Sequence, residues 1–370
     1  MLKTKRVLIG LILILIVVSI SLIGVSCQTS AATTTAAAET TAAVTETTAT
    51  AGETTTETTA AAETAAGKRF EGIDIWFDTG GPAGNSWSAI LINGIKDAET
   101  DLGCKITMTL GDWTPQKMVD NFKIAMATSP DGIVIFGAPG DDAWMSLVDE
   151  AESKGIIVAG INSNLPGLEA KYGAKGFGYV GAMLYTQGET LAKATVERGG
   201  LKKGDRVMVW GLLSQPARGD RTKGCVDAFK DAGMTVDYLE ITNEISADPT
   251  LGTPVFSGYV ASNPDVKAVI IDHGTLTATI ETFLKAAGKG PDDIYAAGFD
   301  LSPSIVAQIK DGYVDLVSDQ QPYLQGYLPV LQICFTKALG LSGLHIDTGA
   351  GLVDKSNVDA VGPLAEKALR

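Results

Sequence analysis

From Phe70 onward, short β-rich apolar runs alternate with helix-length amphipathic stretches, and the whole series occurs twice. Few folds satisfy that rhythm. A strand that must pass through a helix before the next strand cannot return by a tight hairpin, so the strands lie parallel with helices on their faces. In the first series residues 72–78, 105–110, 132–137 and 155–161 read as strands, and 87–102, 115–128 and 141–154 as helices. Thr114 before Pro115 marks one helix start, a capping hydroxyl followed by a φ already set for the first turn. The second series places strands at 206–211, 235–241, 266–272, 294–300 and 316–318, with helices at 221–232, 276–287 and 303–311. The fold class predicted is α/β, as two doubly wound parallel-sheet, Rossmann-like lobes. Ligands of such sheets sit beyond the carboxyl ends of the strands, so the residues just after each strand are the ones that matter.

Composition removes several functions. Lys+Arg 29 against Asp+Glu 43 gives a net charge of −14, which repels a phosphate backbone and excludes nucleic acid as a partner. The four cysteines, Cys27, Cys104, Cys225 and Cys334, form no C-x-x-C pair, and the two histidines, His273 and His345, are far apart. No metal centre or His-based triad is expected. Residues 176–181, Gly-Phe-Gly-Tyr-Val-Gly, match the string G-x-G-x-x-G, but no apolar strand precedes them and no acidic residue takes a ribose role. They read as a glycine-rich crossing between lobes. Phosphate-loop and G-x-S-x-G patterns are absent. The chain is expected to be no enzyme and to carry no cofactor.

Residues 1–27 read as an export signal: Lys3, Lys5 and Arg6, an apolar run from Val7, then small residues before Cys27. Gly24-Val25-Ser26-Cys27 resembles the lipobox of bacterial lipoproteins, which implies that Cys27 is lipidated and becomes the new N-terminus. A retained membrane helix is the alternative. Either leaves the folded part extracytoplasmic and fastened to a membrane. Residues 28–68 are almost only Thr, Ala and Glu, too poor in apolar surface to offset the entropy of ordering, and read as a disordered spacer.

The post-strand residues are Asn85 and Trp87, Asn162-Ser163-Asn164, the stretch 215–221 with Arg221, Asp272-His273, Asp300, and Asp319-Gln320-Gln321-Pro322. Gathered between two lobes they offer an aromatic face, amides that donate and accept, a cation and carboxylates. That set suits a sugar, whose C–H faces stack on aromatics and whose hydroxyls give and take hydrogen bonds. Plainer roles exist for each. Asn85 could cap a helix, Trp87 could face the core, Arg221 could pair with Asp220 or Asp227, His273 could start a helix, and Asp300 could belong to capping by Ser302-Pro303. Trp76 and Trp210 read as core, while Trp113 and Trp144 stay open between core and site.

Gly84-Asn85-Ser86-Trp87 leading to Asn93-Gly94-Ile95-Lys96-Asp97-Ala98, Arg221-x-x-Gly224, Gly298-Phe299-Asp300, and the run Gln320-Gln321-Pro322-Tyr323-Leu324-Gln325-Gly326 resemble the ribose-binding-protein-like family. These are type I periplasmic binding proteins that serve sugar ABC transporters. The resemblance implies two lobes joined by a three-segment hinge with crossings near Val180, Gln320 and Thr348. It divides the chain into residues 69–180 with 321–348 and residues 181–320 with 349–370. It further implies that Asn85, Trp87, Asn162, Arg221, His273, Asp300 and Gln320 touch the ligand, Trp87 by stacking, and that Arg221 and Asp300 compensate one another's charge. Asn162 stands where ribose binders often have Asp, Ser163 where they have Arg, and His273 where the family often has Asn. Ribose is therefore not assumed, and hexoses, other pentoses and polyols stay open. The implied partners are a monosaccharide, an ABC permease and, through the lipid, the membrane, with the protein itself a monomer. A nucleoside-binding lipoprotein of an ABC importer is the alternative reading, and a dinucleotide-dependent oxidoreductase using residues 176–181 is the alternative from another class. A lactose-repressor-like regulator shares the fold, but the export signal and the absence of DNA-binding helices oppose it.

Overall fold

The computed structural model describes residues 68–370; the export signal, Cys27 and all but the last residue of the expected spacer lie outside them. The first series of elements is β1 (Asp74–Asp78), α1 (Ser86–Leu102), β2 (Lys105–Thr109), α2 (Pro115–Thr128), β3 (Gly132–Phe136), α3 (Asp141–Ser153), β4 (Ile157–Ile161), α4 (Pro166–Tyr172) and β5 (Gly178–Gly181). The second comprises α5 (Leu184–Arg198), β6 (Arg206–Gly211), α6 (Gly219–Asp231), β7 (Thr235–Glu240), α7 (Asn243–Ala247), α8 (Thr253–Ser262), β8 (Val266–Ile271), α9 (Gly274–Thr277), α10 (Ile280–Ala286), β9 (Tyr295–Phe299), α11 (Pro303–Asp311) and β10 (Leu316–Asp319). The chain ends with α12 (Pro322–Leu339), β11 (His345–Asp347), β12 (Gly351–Asp354) and α13 (Val358–Ala365).

Each series makes a six-stranded sheet, in the orders β11-β5-β4-β3-β1-β2 and β12-β10-β9-β8-β6-β7. All neighbours are parallel except β10 and β12. Central strands are covered on both faces, which is why they are apolar without alternation: all five residues of β3 are buried. The edge strands β2 and β7 are only half covered and carry Lys105, Thr107, Asp237 and Glu240. Strand order reverses beside β1 and β3 in the first sheet and beside β6 and β8 in the second. These switch points open a crevice at the strands' carboxyl ends.

Two further features build the lobes alike. In the first, α1 crosses α12 at Gly94 and Gly326, where a Cβ would stand 2.2 Å from the carbonyl oxygens of Tyr323 and Leu91. In the second, α5 crosses α6 at Gly188 and Gly224, where a Cβ would stand 2.0 and 2.1 Å from the carbonyl oxygens of Arg221 and Tyr185. Only glycine permits helices to approach so closely.

The chain passes between the sheets three times, from β5 to α5, from β10 to α12, and from β11 to β12. The passages are bonded to one another. Thr348 N donates to Gly181 O at 3.0 Å. Gln321 Nε2 donates to Thr348 O at 2.9 Å, and Gln325 Nε2 reaches both Gln320 O (2.9 Å) and Thr348 Oγ1 (3.2 Å).

Four points refine the sequence expectations, each for a physical reason. The glycine string at 176–181, read as a crossing, is partly strand: residues 178–181 form β5, buried between β4 and β11, and the crossing follows immediately after. The single helix expected over 276–287 is broken at Ala278 and Thr279, because the Gln308 amide on α11 takes Ala278 O (2.7 Å) and Glu281 N (2.9 Å) across the break. Trp144 belongs to the core, with its indole N–H on Phe136 O at 3.1 Å. Strands expected from residues 72, 155 and 294 start at Asp74, Ile157 and Tyr295, since the preceding residues make turns or loop. No helix among the described residues is long and apolar enough to cross a membrane.

Candidate functional site

On the second lobe the crevice is built around Asp272, the residue after β8. It is fully buried, and its carboxylate accepts from Arg221 Nε at 2.6 Å, Arg218 Nη2 at 3.0 Å, Arg218 Nη1 at 3.4 Å and the Thr222 hydroxyl. Burial alone would raise its pKa, but Arg218 and Arg221 outweigh that and hold it below the ordinary carboxylate value. Arg221 is itself only 2% exposed. Its guanidinium lies 4.0 Å over the Phe299 ring and reaches Gln187 Oε1 at 3.4 Å, and burial lowers its pKa. The carboxylate hydrogen-bonded to Arg221 is thus Asp272, while Arg221 and Asp300 compensate one another's charge without a direct bond. Asp300 contributes to Arg221 only as a second negative charge.

Asp300 follows β9 at φ +72, a left-handed conformation that Asp and Asn adopt more readily than other non-glycine residues. Burial raises its pKa against the opposing effects of Arg221 and Gln320. Gln320, in the second crossing, donates from Nε2 to Asp300 Oδ1 at 2.6 Å and accepts at Oε1 from Asn162 Nδ2 at 3.1 Å. A single amide therefore joins the residue after β4 of the first lobe to the residue after β9 of the second. Asn162 (φ +66) and Gln321 (φ +53) are also left-handed, so three post-strand positions around this amide share the same backbone conformation. His273 precedes the short α9, with Thr275 Oγ1 2.8 Å from Nδ1 and Ser246 Oγ 3.1 Å from Nε2. Burial, with Arg218 adding repulsion, pushes its pKa down to about 4, so the ring is neutral.

The first lobe supplies an aromatic wall. Asn85 is the N-cap of α1, its Oδ1 accepting from Trp87 N at 2.9 Å and Ser88 N at 3.4 Å. Trp87 packs against Trp113 (centroids 5.6 Å) and Phe136 (5.8 Å), which leaves it 5% exposed. Its indole N–H and the Ser88 hydroxyl have no hydrogen-bond partner among the described residues. Trp113, after β2 at φ +54, is 43% exposed and presents the open aromatic face of the cluster. Below the wall Asp78 accepts from Gly80 N, Thr109 Oγ1 and Asn121 Nδ2, and burial raises its pKa.

The structure thus brings Arg221, His273, Asp300, Gln320 and Asn162 to the crevice and the crossings beside it, with Asn85 and Trp87 at the base of the aromatic wall. The sequence reading named Asp272 and the stretch containing Arg218 as post-strand residues without seeing that they pair, and it gave no role to Gln187 on one side or to Asp78 and Phe136 on the other. Asp272 carried a usable signal: a carboxylate closing an apolar buried strand requires a cation, and Arg218 and Arg221 both follow the neighbouring strand β6. Among the described residues no group of His, Cys, Asp and Glu could hold a metal ion.

Residues 80–334 match the family profile described as periplasmic binding protein domain. The xylose/arabinose-binding protein XylF of Sulfolobus acidocaldarius is 26% identical over 306 residues, covering 75% of this chain and 73% of that protein. Among solved structures, a carbohydrate transporter protein from Acidothermus cellulolyticus 11B in complex with myo-inositol aligns with TM-score 0.68 at 22% identity, covering 80% of this chain and 99% of the other. An ABC transporter solute-binding protein from Burkholderia graminis C4D1M, in complex with D-arabinose, aligns with TM-score 0.67 at 21% identity, covering 78% and 98%. At these identities the likeness is one of fold.

Proposed function

The chain belongs to the periplasmic binding protein domain family, and from that premise we propose that it is an extracytoplasmic receptor that captures a monosaccharide or related polyol by hinge closure and delivers it, unaltered, to an ABC permease. The observation that carries the reading is the charge balance of the second-lobe face of the crevice. There Arg218 and Arg221 stand against Asp272 and Asp300, so that face offers strong donors and strong acceptors in equal number. An uncharged hydroxylated ligand uses both kinds; an anion or cation would leave one kind unmatched. Trp113 supplies the surface on which C–H faces stack. The sugar names carried by XylF and by the two solved structures support the same ligand class.

Closure follows from the placement of these groups. Aromatic contacts lie on the first lobe and charged ones on the second, so a ligand satisfies both only when the lobes approach, and binding shifts the population toward the closed state. Nothing in this mechanism breaks a covalent bond of the ligand. The sequence at Cys27 supports a lipid tether to the membrane; Cys27→Ala should then move the protein from the membrane fraction to the soluble one. The monomer is the simplest state for a receptor whose two lobes already enclose the site.

The test of ligand class is a thermal-shift screen against pentoses, hexoses, inositols and nucleosides, followed by calorimetry, because a ligand that binds only the folded state raises its melting temperature. A pentose, hexose or polyol is expected to stabilise the protein and be recovered unchanged. A nucleoside as sole hit would sink the sugar reading, and consumption of the ligand would sink the receptor reading.

A further inference from the structure

Helix α13 packs on α11 of the second lobe, yet the chain beyond it turns back toward the first. Leu369 N bonds to Leu364 O, and Ala368 at φ +50 makes the turn. Asn93 Nδ2, on α1 of the first lobe, then donates to Ala368 O at 3.0 Å. Arg370 Nε lies 2.8 Å from Asp319 Oδ2, a fully buried carboxylate at the end of β10, where the second crossing starts. The other Asp319 oxygen accepts Gln321 N at 2.9 Å. The segment 366–370 thus touches both lobes and the joint between them.

Among the described residues, Asn93 to Ala368 is the only hydrogen bond between the lobes that uses no residue of the three crossings. In the crevice itself, none joins the wall of Trp113, Phe136 and Asp78 to Arg218, Asp272 or His273. Trp113 stays 43% exposed, so the second lobe does not cover the first-lobe wall, and a bond made between the lobes in this uncovered arrangement favours it over a closed one. Asn93 rides on a helix packed rigidly to α12 through Gly94, while Ala368 rides on the other lobe. A rotation of one lobe against the other separates them.

We propose that residues 366–370 are a clasp that holds the lobes open, with Asn93 the catch on the first lobe and Arg370 a positioning residue that seats the clasp on Asp319. The ligand must release this catch to close the crevice, so apparent affinity is lower than the crevice contacts alone would give.

Small-angle scattering and calorimetry on the full chain test it, with Asn93→Ala as the main variant because it strands no buried charge. Without ligand, Asn93→Ala should show a smaller radius of gyration than the parent protein. With the sugar found in the screen it should bind roughly three-fold to ten-fold more tightly, the release of about one neutral hydrogen bond. Arg370→Ala should shift both readings in the same direction and Arg370→Lys should restore them, while a purely structural role would lower the melting temperature and leave the radius alone. Unchanged scattering for Asn93→Ala, or weaker binding, overturns the clasp; weaker binding would place the contact in the closed state. The affinity arm rests on the sugar-receptor reading, whereas the scattering arm needs no ligand. A contracted variant that binds no sugar would therefore leave the clasp standing and remove the ligand class.

Discussion

At the scale of single residues, the proposed site holds some groups fully engaged within the second lobe and others with an unused hydrogen-bonding atom. Arg221 is enclosed by Asp272, Gln187 and the Phe299 ring, so removing it leaves a buried carboxylate short of a partner. Arg221→Met should lower stability by about 3 kcal/mol, the scale found for breaking buried ion pairs, as well as weaken binding. Asp300 is bonded through one oxygen to Gln320 and has the other to offer. Asp300→Asn should cost about tenfold in affinity, measured by calorimetry, with little change in melting temperature. A result with the two effects exchanged would reverse the assignment. His273 gives the pH signature. Its folded pKa of about 4 lies below the unfolded value near 6.5, so the unfolded chain binds the extra proton first. The stability it contributes is whole above that window and is lost as pH falls from 6.5 toward 4. His273→Gln should therefore lose less melting temperature than the parent between pH 7 and pH 5, by an amount equivalent to roughly 1–2 kcal/mol.

At the scale of elements, the alternation of apolar runs and amphipathic stretches was sufficient for both sheets' central strands, because full burial on two faces leaves a dense apolar signature. The edge elements were less legible. Strand β11 is three residues long and largely exposed, and β5 is half glycine, so neither carries an apolar run to read. The break between α9 and α10 depends on Gln308, some thirty residues away in sequence, which no local pattern encodes. For the candidate site, position after a strand was enough to place Asp300 and Gln320 at the strands' carboxyl ends, whereas the partner of Arg221 required knowing that β6 and β8 are neighbours. The aromatic face was assigned to Trp87, but the structure leaves Trp113 the more exposed, in a loop where Asp112 and Trp113 both take positive φ. Glycine pairs at the helix crossings give the element-scale prediction. Gly326→Ala or Gly224→Ala places a methyl about 2 Å from a backbone carbonyl that cannot rotate away, and either should destabilise by roughly 1–3 kcal/mol or more in denaturant titration. Gly258→Ala, on the exposed face of α8 with open space around it, should be neutral or stabilising by comparison.

At the scale of the whole molecule, each lobe is discontinuous in sequence, since α12 and β11 rejoin the first sheet after the second has been built. The three described cysteines follow that division: Cys104 and Cys334 meet in the first core, brought together by α12, and Cys225 lies in the second with its thiol on Gly188 O. Because Gln321, Gln325, Thr348 and Gly181 tie the three passages into one bundle, the two bodies do not hang from three independent tethers. Such a bundle permits the lobes to turn about a common axle and resists sideways sliding or twisting. For the receptor proposed above, opening and shutting would then be a swing with one coordinate, offering a membrane partner two distinguishable silhouettes, empty and loaded, and few shapes in between.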